Sequence, residues 1–394
     1  MSEKYKGQSK IHLRYLNFRI ILYVLTLSVL GVLIVNSATR NEVAAGMFST
    51  TQKQIIGIII GIAAMIVLIF LDYHFLVKYA WAFYLISFFL LVYVKYINPL
   101  NIANANRWIR VPGFGTIQPS EFSKVAIAVM AVFLLKHFQD RINNVLFILV
   151  YFILNGISVY LIYAEPDMST SLIIVFGLIV MIFIAGISWK WVFGVSAALC
   201  VMIGGILYLV YQPEQTTLAW MVDKKIVNQY QVNRVNAYFF PDQYPDLVRQ
   251  QLYSVIAIGG GQLSGKGLNN STFESVKNGN FLSQEQTDMI FAVVGEELGF
   301  IGSSFIILLY FLLFMEGLRI AARSPDEEGK ILAGGLVGMM AFQCFVNMGV
   351  AMLILPNTGT PLPFISAGMS SLISCYMMIG IILNIGMQRK MKIL

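Results

Sequence analysis

Residues 18–38 read FRIILYVLTLSVLGVLIVNSA. Past Arg19 no charged side chain interrupts the stretch. A helix of this length, rising about 1.5 Å per residue, reaches across about 30 Å of hydrocarbon. Five basic residues, Lys4, Lys6, Lys10, Arg14 and Arg19, lead into it. A signal peptide also starts basic, but its apolar core is about 7–15 residues long and ends at a small-residue cleavage site. Neither feature fits here, so the stretch reads as a first membrane span that is retained.

The same kind of run recurs along the chain. Ten spans are expected, at about 18–38, 54–71, 75–95, 119–135, 143–163, 169–186, 189–211, 289–318, 331–355 and 366–387. Composition agrees, with 58% hydrophobic and 12% charged residues, against about 25% charged in soluble domains. The expected fold class is all-α: a polytopic membrane protein of about ten transmembrane helices, with residues 1–394 forming one membrane domain. Short connections on one side hold Lys78, Lys136, Arg141, Lys190, Arg319, Arg323 and Lys330, and the C-terminal segment adds Arg389, Lys390 and Lys392. Together with the basic N-terminal segment, they place both termini, residues 1–17 and 388–394, in the cytoplasm. The net charge of +7 is therefore a matter of orientation. No basic face or arm collects it, so no nucleic-acid partner is expected.

Cys200, Cys344 and Cys375 lie in apolar runs without metal-site spacing and read as small core residues. His12, His74 and His137 fall on or near the cytoplasmic side and read as solvated or interfacial. No pair of Gly- or Pro-broken spans marks the inverted repeat of a secondary transporter.

The connection at 212–286, between spans seven and eight, is polar and far longer than an ordinary loop. It reads as an extracytoplasmic segment with amphipathic pieces, such as Leu247 to Ile258. Polar clusters gather on the same side, and ionisable groups at membrane depth are functional candidates. Asn106-Arg107-Trp108-Ile109 is followed by Gln118-Pro119-Ser120-Glu121, then Lys124. Pro119 suits a first helical turn, Glu121 and Lys124 share a helix face at i,i+3, and Arg107 beside Trp108 suits either an interfacial phosphate or a snorkelling position. Glu165-Pro166-Asp167 with Ser169, Thr170 and Ser171 makes either a helix start or a pair of carboxylates in a cavity. Gly259 to Gly267 contains the P-loop spacing Gly260, Gly265, Lys266, but Gly267 replaces the hydroxyl residue and no strand precedes it, which argues against an ATPase. Its backbone amides suit a pyrophosphate cradle, and a plain turn equally. Gln284-Glu285-Gln286-Thr287-Asp288 joins the long segment to Gly295-Glu296-Glu297-Leu298-Gly299. Asp288, the last acid before an apolar stretch, suits a helix cap or a half-buried general base. Leu355 to Ser366 contains three prolines, which forbid a continuous helix, and Asn347 is polar within the preceding span.

In this order the clusters resemble the shape, elongation, division and sporulation family of RodA, FtsW and SpoVE. The likeness runs from Ser37-Ala38 through Arg107-Trp108-Ile109, Gln118-Pro119-Ser120-Glu121 with Lys124, Pro166-Asp167 with Thr170, the glycine loop, Thr287-Asp288 with Phe291, Gly295 to Gly299, and Pro361-Leu362-Pro363-Phe364-Ile365-Ser366, to about Gly386. Ser169, Ala367, Met369 and the Gln284-Glu285 pair depart from the family's usual residues and leave the subfamily open.

The resemblance implies a peptidoglycan glycosyltransferase of the bacterial cytoplasmic membrane, acting on lipid II at the outer face. Asp288 matches the family's proposed catalytic aspartate. The substrate-binding set expected with it is Arg107, Glu121, Lys124, Lys266, Thr287, Glu165, Asp167, Glu296 and Ser366. A divalent cation, magnesium or manganese, is admissible with Asp288 as a ligand; no organic cofactor is expected. The expected partners are lipid II, the undecaprenyl-pyrophosphate-linked glycan, membrane lipids and a class B penicillin-binding protein. Two rivals stay open: a lipid II flippase, and a non-catalytic membrane scaffold for the penicillin-binding protein.

Overall fold

The computed structural model describes residues 12–39, 49–97, 100–102, 105–111, 115–211, 220, 222–224, 229–269 and 286–388. The apolar runs become helices: α1 Phe18–Ala38, α2 Thr50–Phe70, the short α3 Tyr73–Lys78, α4 Ala80–Val92, α5 Pro119–His137, α6 Val145–Ala164, α7 Met168–Ile184 and α8 Trp189–Val210. After the long connection come α11 Ile290–Ala322, α12 Glu327–Ala351 and α13 Met369–Met387. Among the described residues, seven helices are long and apolar enough to cross a membrane. Helix α5 has the length but carries Glu121, Lys124 and Lys136. The chain is thus a mainly helical, multi-pass membrane protein of the all-α class.

Local chemistry sets several boundaries. Asn17 caps α1, accepting from the amides of Arg19 and Ile20. Ser49 and Gln52 form a capping box on α2. Pro119 opens α5, where its missing N–H costs nothing. Between α4 and α5 lies a small antiparallel meander that the periodicity did not reveal: β1 Leu100–Ile102, β2 Ala105–Val111 and β3 Gly115–Ile117. Leu100 pairs with Trp108, and Ile109 with Ile117.

Within the connection at 212–286, α9 covers Gln229–Phe239 and α10 covers Pro245–Gly260. The amphipathic piece expected at 247–258 lies in α10. Gln284 and Glu285, like residues 1–11 and 389–394 of the tails, lie outside the described residues.

The chain forms two compact units. Unit one comprises Met1–Gly186, Phe305–Cys344 and Pro363–Leu394. Its centre is α13, which packs along α2 at backbone contact. A Cβ on Gly61 would lie 2.4 Å from the Tyr376 ring, and one on Gly380 would lie 2.8 Å from the Met65 carbonyl. Small residues permit such approaches where lipid gives helices no hydrophobic drive to associate. Asn384 of α13 donates to the Ile69 carbonyl (2.7 Å) and accepts from the Tyr73 amide (3.1 Å), joining the end of α2 to α3.

His74 of α3, read from sequence as solvated or interfacial, bridges Asp72 (2.7 Å) and Asp326 (2.8 Å). Tyr73 donates to the same Asp326 carboxylate. Burial alone lowers the imidazole's pKa, but the two carboxylates outweigh it and hold His74 at about 9.

Unit two comprises Ile187–Ser304 and Phe345–Leu362. Here side chains of α9 and α10 satisfy carbonyls at the end of α12 and in the turn after it. Gln251 donates to Val350 and Leu355, Ser254 to Ala351, Tyr238 to Ile354 and Arg234 to Asn357, all within 2.7–3.0 Å. A helix end leaves such carbonyls without intrahelical partners.

Candidate functional site

In unit one, strand β2 carries Arg107, whose guanidinium lies 5.7 Å from the Trp108 ring centre. Strand β3 runs through Gln118 into α5, and α6 ends at Glu165, two residues before Asp167 caps α7. These connections converge on the Asp167 carboxylate. It accepts from Gln118 Nε2 (2.6 Å), Ser120 Oγ (2.8 Å) and the Thr170 amide (3.3 Å), with Arg107 at 3.6 Å. Asp167 is thus the helix start that the sequence offered, capping α7 through the Thr170 amide.

Glu165 is different. It is 1% exposed and neither carboxyl oxygen has a hydrogen-bond partner. Burial, with Asp167 beside it, pushes its pKa up to about 8 against the pull of Lys95 and Arg107. At neutral pH it therefore carries its proton. An unpaired charge would be costly at such burial.

One turn along α5, Glu121 and Lys124 pair at 2.7 Å, as their i,i+3 spacing implies. The lysine is fully buried and also donates to Gln343 Oε1 of α12 (3.0 Å). Gln343 in turn donates to Ser371 of α13 (3.2 Å). Two of the three ammonium donors are thus engaged inside the fold. Ser366 is buried in the same unit.

In unit two, the glycine loop after α10 is bonded to α11 through its main chain. Gly265 donates to the Gly261 carbonyl (2.8 Å), Lys266 to Glu296 (2.9 Å) and Gly267 to Glu297 (3.0 Å). In the opposite direction, the amides of Phe300 and Ile301 donate to the carbonyls of Gln262 (2.8 Å) and Leu263 (3.1 Å). The four bonds to α11 flank Gly299, where φ 64° and ψ −163° break the helix. That backbone region is essentially restricted to glycine. The break strands carbonyls before it and amides after it, and the loop satisfies both sets. The Lys266 side chain adds an ion pair to Glu296 at 2.8 Å, with Glu296 almost fully buried.

Asp288 and Thr287 lie half-buried in the turn preceding α11. Asn347 of α12 donates to the Asp288 carbonyl (2.9 Å) and to the Thr360 carbonyl (2.6 Å). Gly359 adopts φ 71°, and a Cβ there would stand 3.1 Å from Asp288 Oδ2. The carboxylate therefore lies close over a glycine whose left-handed backbone disfavours a side chain. The proline-rich turn, readable as a simple connector, forms a wall beside the candidate base.

The sequence had marked Arg107, Glu165, Asp167, Glu121, Lys124 and Ser366, which fall in unit one, and Lys266, Thr287, Asp288 and Glu296, which fall in unit two. Gln343 and Gly359 were missed. Gln343 left a trace, as an amide inside an otherwise apolar run. Among the described residues no three His, Cys, Asp or Glu side chains gather as a metal cluster.

The chain matches the family described as "Cell cycle protein" (FtsW, RodA, SpoVE) over residues 17–391. It is 32% identical over 373 residues to a "Probable peptidoglycan glycosyltransferase FtsW" of Geobacter sp. (strain M18), covering 93% of this chain and 95% of the relative. It is 32% identical over 385 residues to the "Peptidoglycan glycosyltransferase MrdB" of Escherichia coli (strain K12), covering 97% and 95%. The fold resembles a chain in a solved peptidoglycan synthase complex described as coordinating polymerization and crosslinking, with a TM-score of 0.74 and 24% identity, covering 94% of this chain and 97% of that one.

Proposed function

The chain belongs to the FtsW, RodA and SpoVE family of cell cycle proteins, and from this premise we propose that it is a peptidoglycan glycosyltransferase of the bacterial cytoplasmic membrane. It polymerises lipid II at the outer face, with both termini in the cytoplasm. The 4-hydroxyl of an acceptor N-acetylglucosamine attacks the anomeric carbon of a donor N-acetylmuramic acid. The donor bond to pyrophosphate is α and the product is β-1,4, so one in-line displacement with inversion suffices, and undecaprenyl pyrophosphate leaves.

The observation that carries this reading is the Asp288 carboxylate, half-buried at the start of α11 and laid over Gly359. It accepts the proton of the attacking hydroxyl, a role worth about 10²–10⁴-fold. Arg107, whose Nε is buried without a hydrogen-bond partner, is the first candidate for the leaving diphosphate. Lys124 and Lys266 can serve only by releasing Glu121, Gln343 or Glu296 in part. Asp288 would be the residue to hold a divalent cation, magnesium or manganese, which would supply neutralisation of leaving-group charge. A class B penicillin-binding protein is the proposed partner, to cross-link the product.

The test incubates the purified full chain and its partner with labelled lipid II in the presence of moenomycin. The native chain makes glycan and Asp288→Asn makes none. Polymer from Asp288→Asn would refute the base. Lipid II transport in vesicles without polymer would favour a flippase, and full function of Asp288→Asn in cells would favour a scaffold.

A further inference from the structure

Asn347 is 1% exposed, and both hydrogens of its amide are directed at main-chain carbonyls. One is that of Asp288 and the other that of Thr360, next to Gly359. The side chain thus ties the turn before α11 to the turn after α12. Gly359 supplies the other half of the arrangement. Its left-handed backbone, φ 71°, brings the chain under the carboxylate with no Cβ between them. The wall is itself anchored: Arg234 donates to the Asn357 carbonyl (2.8 Å), and Asn357 donates to Gln250 (3.2 Å). What this set controls is where the Asp288 carboxylate stands.

We infer that Asn347 and Gly359 are positioning residues for the candidate base, Asn347 by fixing the Asp288 main chain and Gly359 by leaving the space its carboxylate occupies. This rests on the reading of Asp288 as the base. A misplacement of about 1 Å in a reacting group costs about 10²-fold in turnover, whereas substrate affinity depends on other groups. The two residues should therefore act on kcat and leave KM nearly unchanged.

The experiment measures lipid II polymerisation by the full chain with its partner for Asn347→Ala, Gly359→Ala and Asp288→Asn. Size-exclusion profiles and melting curves in detergent report folding. The expected result is a fall in kcat of about 10–100-fold for each positioning variant, with KM within about twofold. Gly359→Ala retains the Asn347 amide that holds the Asp288 and Thr360 carbonyls, so it is a second variant should Asn347→Ala fail to fold. Wild-type turnover in either variant, or a rise in KM that accounts for the loss, overturns the inference while Asp288→Asn stays inactive. Polymer from Asp288→Asn instead overturns the assignment of the base.

Discussion

Replacing Gly299 with alanine tests the double cap on α11. A Cβ at this position would lie 2.3 Å from the Gly265 amide nitrogen and 2.8 Å from the Ser264 carbonyl carbon. These are backbone atoms, so no side chain can rotate away. Backbone strain in this region costs about 1–3 kcal/mol, and overpacking against a fixed neighbour adds about 1–3 kcal/mol. The total, about 2–6 kcal/mol, is comparable to the loss of the bonds from Phe300, Ile301, Lys266 and Gly267, at about 0.5–1.5 kcal/mol each. The chain therefore relieves the clash by opening the clasp or bears the strain, and the outcome is similar. Melting in detergent, followed by fluorescence-detected size exclusion, should show a fall of about 2–7 °C. Gly156→Ala is the internal control: it lies in α6 with nothing within 4 Å of its added Cβ, and should be neutral or slightly stabilising, by up to about 1 kcal/mol. A Gly299→Ala protein that melts with the wild type would refute the reasoning.

Three further outcomes follow from the ionisable groups. Lys266→Met leaves Glu296 buried without its cation, costing about 3–5 kcal/mol, and adding Glu296→Gln should restore most of the melting temperature; no recovery would mean that the lysine acts elsewhere. Because Glu165 is held at about 8, the native state binds its proton more tightly than the unfolded chain does. Stability from this group is complete below about 4.5 and is lost as pH rises through about 8, so Glu165→Gln should melt higher than wild type at about pH 9 and nearly with it at about pH 4. His74, held at about 9, contributes stability that is complete below about 6.5 and lost as pH rises through about 9; melting curves between about pH 7 and 10 should show a decline that His74→Gln abolishes.

The spans were legible because hydrocarbon imposes a length and excludes charge, and α1 was placed from Phe18 to Ala38 as found. The Glu121–Lys124 pair was legible because helix geometry fixes i,i+3 neighbours. The meander at 100–117 was not, since strands of three to seven residues show too little alternation to register. Nor was the break at Gly299: one glycine in an apolar run is also tolerated inside a helix, and only the loop more than 30 residues earlier in the chain reveals its purpose. Gln343 meets Lys124 across 219 residues, a distance no local pattern spans. Asp288 could be picked out by its place at the end of a polar segment, but the Gly359 wall required the turn's conformation.

The capped break in α11 bears on how the protein is built. A span normally leaves the translocon as a self-sufficient rod, all its main-chain groups already matched. Each unmatched group costs several kcal/mol in lipid. Helix α11 is not such a rod, because the amides of Phe300 and Ile301 await carbonyls synthesised earlier, at Gln262 and Leu263. The segment from Pro245 to the far side of the break must therefore mature as one piece, making biogenesis of this span a folding event as well as an insertion.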